Sequence, residues 1–147
     1  MGIFKKGLRM QFMAALKQLR SFRLYAGIVR GEGMRGGSWC GPTRRRVSTT
    51  WSGDEKITRV AAGKKPAWSE TLVFQPVDQN EAKRGEVVME VVENGVKCSS
   101  CTVRFEEIDK FASDIEIGDG KPYPLVSKEG EMVGCIWVKL FLKRGDE

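Results

Sequence analysis

The chain has 147 residues, the size of one ordinary domain, and its 41% apolar and 30% charged residues favour a packed core over global disorder. It contains no His, which removes the commonest general base, the usual catalytic triads and most catalytic zinc sites, so we expect neither an enzyme nor a bound cofactor. No apolar run approaches the roughly 20 residues that span a bilayer, and the start of the chain lacks a secretory signal pattern.

The net charge of +6 is unevenly distributed along the chain. Residues 1–65 carry 15 Lys and Arg against 3 Asp and Glu, whereas residues 66–147 carry 10 against 16. A strongly basic first half indicates an anionic partner, which can be lipid headgroups, nucleic acid or an acidic protein surface. The alternative is that the two halves pair with each other inside the fold.

Residues 3–20 predict a basic amphipathic helix. Apolar residues recur at spacings of three and four, and Lys and Arg lie mostly off that stripe. The apolar stripe consists of Phe4, Leu8, Phe12, Leu16 and Leu19. The segment is basic and free of acids, which leaves organellar targeting open, although it is poor in Ser. We divide the chain into this helix, residues 1–21, and a second unit, residues 22–147.

From Phe22 onward the apolar period changes to two, which predicts strands. A first strand runs to Val29, and residues 30–42 are too rich in Gly for regular structure. Further strands are predicted at residues 43–51, 56–60, 86–93, 102–108 and 134–142. Short strands separated by turn signals are typical of an all-β sandwich or barrel.

The stretch KPAWSETLVF, residues 65–74, predicts an interior strand. Pro66 disfavours helix immediately before it. Trp68, Leu72 and Phe74 share one face of the strand and are predicted to fill the core. Glu70 sits at the mouth of the strand, where it is predicted to accept hydrogen bonds from loop backbone amides.

This stretch resembles a motif of C2 domains, which have Pro, Trp, Glu, an apolar residue and Phe in the order found here. The stretches RLYAGIVRGEGM, VVMEVVEN, CTVRFEEI and YPLVSKEGEMVGCIWVKLFL resemble the family's first, fifth, sixth and closing strands. The resemblance covers residues 22–143. It implies an eight-stranded antiparallel C2-like β-sandwich preceded by the N-terminal amphipathic helix, in the permutation whose last strand is residues 134–142.

The resemblance also implies where calcium would bind, in the loops before strand two and after strand five. Here Gly41 replaces the Asp that precedes Pro42 in the family, and Glu93 and Gly95 stand where two aspartates would. Calcium needs six to eight oxygen ligands, mostly from carboxylates. We therefore expect a calcium-independent member.

A group of Arg and Lys residues lies on predicted strands two and three and the turn after them. In C2 domains this region forms a concave face that often binds inositol-lipid headgroups, and a curved cationic sheet focuses positive potential. The candidate anion-binding residues are Arg44, Arg45, Arg46, Lys56, Arg59, Lys64 and Lys65. The alternative is a solvated sheet edge whose cations prevent aggregation. Arg44 and Arg46 stand where inward apolar residues are expected, so we predict a bulge or register shift in strand two.

The last strand carries large apolar residues on both faces. Trp137 and Phe141 face away from the core, and a lone sandwich would leave them exposed. We predict a protein interface here: either the helix covers them through Phe4, Leu8 and Phe12, or a protein partner does. Insertion of the helix into a membrane is the less favoured alternative.

Four cysteines converge on one end of the sandwich if the C2 resemblance holds: Cys40, Cys98, Cys101 and Cys135. Free thiols in a reducing compartment are the main expectation. A structural zinc site would need all four close together, and a disulfide would need only two.

These observations predict a non-enzymatic binding module that docks to an anionic phospholipid surface, a protein partner or both. We expect it inside the cell, at the periphery of a membrane or within a membrane-associated complex. The alternative is a structural subunit of a large assembly. Nucleic acid is not the expected partner, because Tyr25, Trp39 and Trp51 lie near basic residues without a recognised stacking motif.

Overall fold

The computed structural model describes residues 21–34, 43–110 and 120–144 of the chain. The predicted N-terminal helix, with Phe4, Leu8 and Phe12, lies outside the described residues, as do Trp39 and Cys40. That helix and the division of the chain at residue 21 therefore stay predictions. In the described part of the chain, no helix has the length and apolar character needed to cross a bilayer.

The described residues form strands almost throughout. The strands are β1 (Ser21–Glu32), β2 (Arg44–Trp51), β3 (Asp54–Ile57), β4 (Ala61–Ala62), β5 (Ala67–Val73), β6 (Val77–Asp78), β7 (Glu86–Glu93), β8 (Val96–Arg104), β9 (Asp109–Lys110), β10 (Lys121–Ser127) and β11 (Met132–Arg144). One short helix, α1 (Gln79–Arg84), precedes β7, and a single 3₁₀ turn, Phe105–Glu107, follows β8. The Asp78 side chain caps α1 by accepting from the backbone N–H of Glu81.

The eight longer strands make two antiparallel layers. The first sheet has the order β3-β2-β7-β8, and the second has the order β10-β11-β1-β5. The layers are joined by two residue pairs between β8 and β10, Ser100 with Val126 and Ser99 with Ser127. The eight-stranded antiparallel sandwich expected from the sequence is confirmed.

The core lies between the two sheets, and the alternation of β1 shows how the sequence builds it. Phe22, Leu24, Ala26 and Ile28 are all buried, as their spacing of two predicts. The strand continues three residues beyond its predicted end at Val29, past a register shift against both of its neighbours. Burial of this apolar face from water is the main stabilising term of such a layer.

The predicted interior strand is β5. Trp68, Leu72 and Phe74 are buried, with Trp68 fully inaccessible to solvent. The Trp68 indole Nε1 donates to the Arg45 carbonyl at 3.1 Å, which ties β5 to the opposite sheet. Glu70 accepts from the backbone N–H of Arg59 at 3.0 Å, as predicted for a carboxylate at the mouth of this strand.

Strand β2 corrects one prediction. It pairs with β7 in unbroken register from Arg45–Glu93 to Trp51–Val87, so the predicted bulge is wrong. Buried Val47 and Trp51 fix the parity of the strand, and Arg45 shares that parity. Arg45 therefore points inward, while Arg44 and Arg46 point out to solvent.

The hairpin between β7 and β8 corrects a second prediction. Asn94 and Gly95 form its two-residue turn, and both have positive φ, 50° and 88°, as a type I′ turn requires. The sequence analysis placed a strand at residues 102–108, whereas β8 begins directly after this turn and ends at Arg104. The Asn-Gly pair is the local signal that determines the hairpin.

Several connections meet at one end of the sandwich, which we call the loop end. Backbone hydrogen bonds join them there: Gly31 donates to the Pro66 carbonyl at 2.8 Å, and Gly63 donates to the Thr43 carbonyl at 3.2 Å. The β7–β8 turn lies at this end because Glu93, which directly precedes it, pairs with Arg45 near the start of β2. The β10–β11 turn lies there too, because Cys135 near the start of β11 pairs with Glu32 at the end of β1.

The start of β11 requires glycine at the loop end. Gly134 has φ +112°, and a Cβ atom on it would lie 2.7 Å from the Glu32 carbonyl oxygen. Only glycine combines this left-handed backbone with so close an approach of the neighbouring strand.

Candidate anion-binding surface

A groove of about 510 Å³ lies on the outer face of the first sheet. Its lining residues come from β2, β3, the connection after β3, β7, the β7–β8 turn and β8, and they are Arg44, Arg46, Ser48, Ile57, Val60, Val92, Asn94, Gly95 and Lys97. The groove thus combines an apolar floor with three cationic side chains. This composition suits a ligand that has both apolar and anionic parts.

Strand pairing puts the cations in one row. Arg46 pairs with Val92, and Val92 pairs with Lys97, so these side chains lie side by side across three strands. Arg44 lies two residues before Arg46 and on the same face. The sequence analysis missed Lys97 because it did not place a strand there, although the Asn94-Gly95 turn sets Val92 opposite Lys97.

The three cations differ in how they are paired. Arg44 and Arg46 are exposed and make no ion pair with any residue that the structure describes. The Lys97 Nζ lies 3.3 Å from the Glu90 carboxylate and 3.6 Å from the Glu55 carboxylate. These pairs, the hydrogen bond with Glu90 most of all, raise the pKa of Lys97, so its positive charge persists at neutral pH.

Ser48 forms part of the groove wall and carries an unsatisfied hydroxyl. It is 1% exposed, and its Oγ has no hydrogen-bond partner among the described residues. A buried polar atom without a partner is unfavourable, since it gives up its hydrogen bonds to water. Because this Oγ is closed to solvent, it offers no contact to a ligand in the groove.

The remaining predicted cations do not all reach the groove. Lys64 and Lys65 are exposed in the connection before β5, at the loop end. Lys56 pairs with inward-facing Thr49, so it lies on the other side of β3, and its Nζ is 3.9 Å from Asp54. Five of the seven candidates, namely Arg44, Arg46, Lys56, Lys64 and Lys65, are therefore divided among three places.

Arg45 and Arg59 bond to protein atoms. Arg45 is 1% exposed; its Nε donates to Glu93 at 3.0 Å and its Nη1 to the Gly63 carbonyl at 2.6 Å. Arg59 Nη2 donates to the Trp68 carbonyl at 2.9 Å. Arg45 is thus a correction to the predicted anion-binding set, because its parity on β2 turns it into the core.

The outer face of the second sheet carries the residues of the predicted protein interface. Phe141 is 6% exposed and stacks in parallel on Tyr25, with ring centroids 5.2 Å apart. Lys143 Nζ lies 5.2 Å from the centroid of the Tyr25 ring, and the Arg30 guanidinium lies 4.7 Å from that of Trp137. These rings and cations cover one another in part. The predicted cover by the helix or by a protein partner stays a prediction, because Phe4, Leu8 and Phe12 lie outside the described residues.

Two further predictions depend on exposure. Trp51, a candidate for base stacking, is 1% exposed and packs in the core, so it is not available to a nucleic acid. Cys98, Cys101 and Cys135 are free and half-buried. Among the described residues, no three groups of metal-ligating type come together, so these cysteines form no zinc site there.

Comparison with known proteins identifies the fold. No family model matches the chain, and no curated protein matches it by sequence. Among solved structures, a C2 domain of plant extended synaptotagmin 1 superposes with a TM-score of 0.67 at 20% identity, over 83% of this chain and 94% of that one. A fragment of extended synaptotagmin 2, with an SMP domain and two C2 domains, gives 0.61 at 15% identity, over 84% of this chain and 28% of that one.

Human GIVD cytosolic phospholipase A2 is similar over a smaller part of its length. Its TM-score is 0.58 at 11% identity, over 84% of this chain and 17% of that chain. At these identities the similarity establishes the fold. The described residues therefore have the C2 fold that the sequence motif predicts.

Proposed function

Starting from the C2 fold and the groove, we propose that this chain is a calcium-independent binding module that docks on anionic phospholipid surfaces. The groove takes an anionic headgroup between Arg44, Arg46 and Lys97, and exposed Lys64 and Lys65 contact the same surface from the loop end. We infer binding rather than catalysis, since the chain has no His.

The groove carries this proposal. Arg44 and Arg46 stand over exposed Ile57 and Val60 with no acid of the described residues paired to them. Each cation near an anionic membrane contributes about 1 kcal/mol of attraction. Cations above an apolar floor in one groove support a phosphate-bearing amphiphile as ligand.

The calcium independence that we propose rests on the donor atoms at the loop end. Two acids there, Glu32 and Glu93, are each bonded to an arginine at 3.0 Å, Arg30 and Arg45 respectively. The hydrogen bond from Arg30 holds the pKa of Glu32 below its ordinary value. Residues 35–42 add no acid. Such a donor set does not fit calcium, which takes six to eight oxygen ligands.

The alternative of a structural subunit has less support. It depended on Trp137 and Phe141 as uncovered anchors, and Phe141 is buried against Tyr25. No observation on this face favours an assembly over a membrane surface, so we do not propose a second function.

Vesicle flotation tests the proposal. The full chain is expected to float with vesicles that contain anionic phospholipid and to stay behind with neutral ones, equally in calcium and in a chelator. The charge reversal Arg44→Glu with Arg46→Glu changes four charges at the groove and is expected to lower affinity by 100-fold or more, given about 1 kcal/mol per charge.

A matched reversal provides the control. Lys83 and Arg84 are exposed on α1, away from the loop end, so Lys83→Glu with Arg84→Glu makes the same change in net charge. If both pairs of substitutions reduce flotation equally, the attraction is general and the groove is not the site. If flotation requires calcium, the proposed calcium independence of vesicle binding is wrong.

A further inference from the structure

The geometry points to a second role for buried Arg45. We infer that Arg45 is a positioning residue: it fixes the β7–β8 turn and the Gly63 connection to β2 and thereby holds the anion-binding surface in shape. This inference rests on the proposed function, although its structural part can be measured without any lipid.

One branch of the guanidinium sets the groove wall. Arg45 Nε donates to Glu93 at 3.0 Å, and Glu93 directly precedes the turn. Beside that contact, the Asn94 backbone N–H donates to the Arg44 carbonyl at 3.0 Å, and the Arg44 N–H donates to Asn94 Oδ1 at 3.2 Å. Asn94 and Gly95 both line the groove, so the branch to Glu93 fixes the position of its rim.

The other branch sets the lysines of the loop end. Arg45 Nη1 donates to the Gly63 carbonyl at 2.6 Å, and the Gly63 N–H donates to the Thr43 carbonyl at 3.2 Å. Gly63 has φ +97°, a backbone that presents its carbonyl inward and that other residues rarely adopt. Lys64 and Lys65 follow directly. The Arg45 bond therefore adds a side-chain anchor for these lysines to the backbone contacts that Gly63 and β4 make with the start of β2.

A guanidinium can hold both sides because its planar fork donates in two directions at once. The Arg45 backbone is also fixed, since its carbonyl accepts from Trp68 Nε1 at 3.1 Å. Arg45 thus connects the groove rim, the lysine-bearing loop and the core through one buried side chain. Lysine in its place would keep the charge but would reach only one of the two acceptors well.

The test separates positioning from stability. In Arg45→Met with Glu93→Met, two apolar side chains replace the ion pair, an exchange that often leaves stability unchanged or improves it. The net charge also stays the same, so any loss of lipid binding has no electrostatic cause. The bond to the Gly63 carbonyl is lost all the same.

We expect this double variant to unfold at the same denaturant concentration as the wild type. We expect the Gly63 amide to exchange its hydrogen at least tenfold faster and the affinity for anionic vesicles to fall at least fivefold. The same double substitution at the exposed pair, Arg30→Met with Glu32→Met, should leave Gly63 exchange unchanged. A purely structural Arg45 would instead give wild-type exchange and binding once stability is restored, which overturns the inference.

Other outcomes are equally decisive. Faster Gly63 exchange with full vesicle affinity would show that the loops do not need Arg45 to bind, and it rejects the positioning role. If the wild type itself does not bind vesicles, the proposed function fails, and Gly63 exchange alone decides whether Arg45 holds the loop. If the double variant does not fold, Arg45→Lys replaces it, and unchanged exchange at both Gly63 and Asn94 would refute the inference.

Discussion

The outer faces of the two sheets carry similar residue types but use them differently. On the second sheet, Lys143 lies over Tyr25 and Phe141, and Arg30 lies over Trp137, so cations and rings are paired with each other. On the first sheet, Arg44 and Arg46 stand above β-branched side chains, which have no π-face to attract them.

The difference shows that the count of cations on a face says little about its role. What matters is whether those cations already have partners. The second face uses its charges to cover aromatic rings and so contributes to stability. The first face keeps its arginines unpaired within the described residues, which is the state that an incoming anion requires.

The largest expected effect tests the structural role of the second face. Phe141→Ala removes a buried ring stacked on Tyr25, and the free energy of unfolding should fall by about 3–5 kcal/mol. Urea denaturation measures the loss. Val73→Ala, on an exposed position of the same sheet, should change stability by no more than about 0.5 kcal/mol. Equal effects of the two substitutions would mean that the ring stack is not part of the core.

A smaller effect compares the two sides of β2. Ser48 and Thr49 are neighbours with buried, unpartnered hydroxyls, but Ser48 lines the groove and Thr49 points to the core. Ser48→Ala and Thr49→Val should each leave stability unchanged or raise it by about 1 kcal/mol, because an unsatisfied polar atom is removed. Neither substitution should change vesicle binding, because both hydroxyls are closed to solvent and neither reaches a ligand in the groove.

The two variants are compared by chemical denaturation and by flotation on the same vesicles. Weaker vesicle binding by Ser48→Ala alone would contradict this expectation and show that the ligand contacts the Ser48 hydroxyl.

The smallest effect concerns the cysteines of β8. Cys101 packs against the core, and its burial raises the pKa of the thiol to about 11 from an ordinary value of 9.0. Cys98 is half-buried, and its thiol donates to the Val96 carbonyl at 3.3 Å. Since the thiolate is the reactive form, Cys101 should react with maleimide at pH 8 far more slowly than Cys98, as peptide mapping by mass spectrometry would measure. Similar rates would show that the inner side of β8 is open to solvent.

The raised pKa of the Cys101 thiol also predicts how the free energy of unfolding changes with pH. The folded-state pKa of Cys101 is raised, so the unfolded chain loses this proton first as the pH rises. Stability should therefore fall between about pH 9.0 and 11, and Cys101→Ala should remove that part of the fall.

The sequence predicts the core better than the surface because burial leaves a periodic signal. Phe22 to Ile28 and Trp68 to Phe74 alternate with polar residues, and their faces are assigned correctly. The same rule failed at Arg45, because the parity of β2 depends on Val47 and Trp51 further along the strand. An arginine in the core also contradicts the usual pattern until its partners, Glu93 and Gly63, are known.

The candidate site was predicted in part, since its residues come from strands far apart in the sequence. Arg44 and Arg46 are close in the chain, and their shared face follows from alternation. Lys97 joins them only through the β7–β8 hairpin, which the Asn94-Gly95 pair could have revealed. The partners of Phe141 were not predictable, because stacking on Tyr25 depends on the register between β1 and β11.

The pairing of Phe22 with Arg144 has a mechanical consequence. The first described strand begins and the last one ends side by side, at the end of the sandwich opposite the loop end. A load applied through both ends would separate the β1–β11 ladder one pair at a time, as a zipper opens, instead of shearing all its pairs together. Such a domain yields readily to pulling.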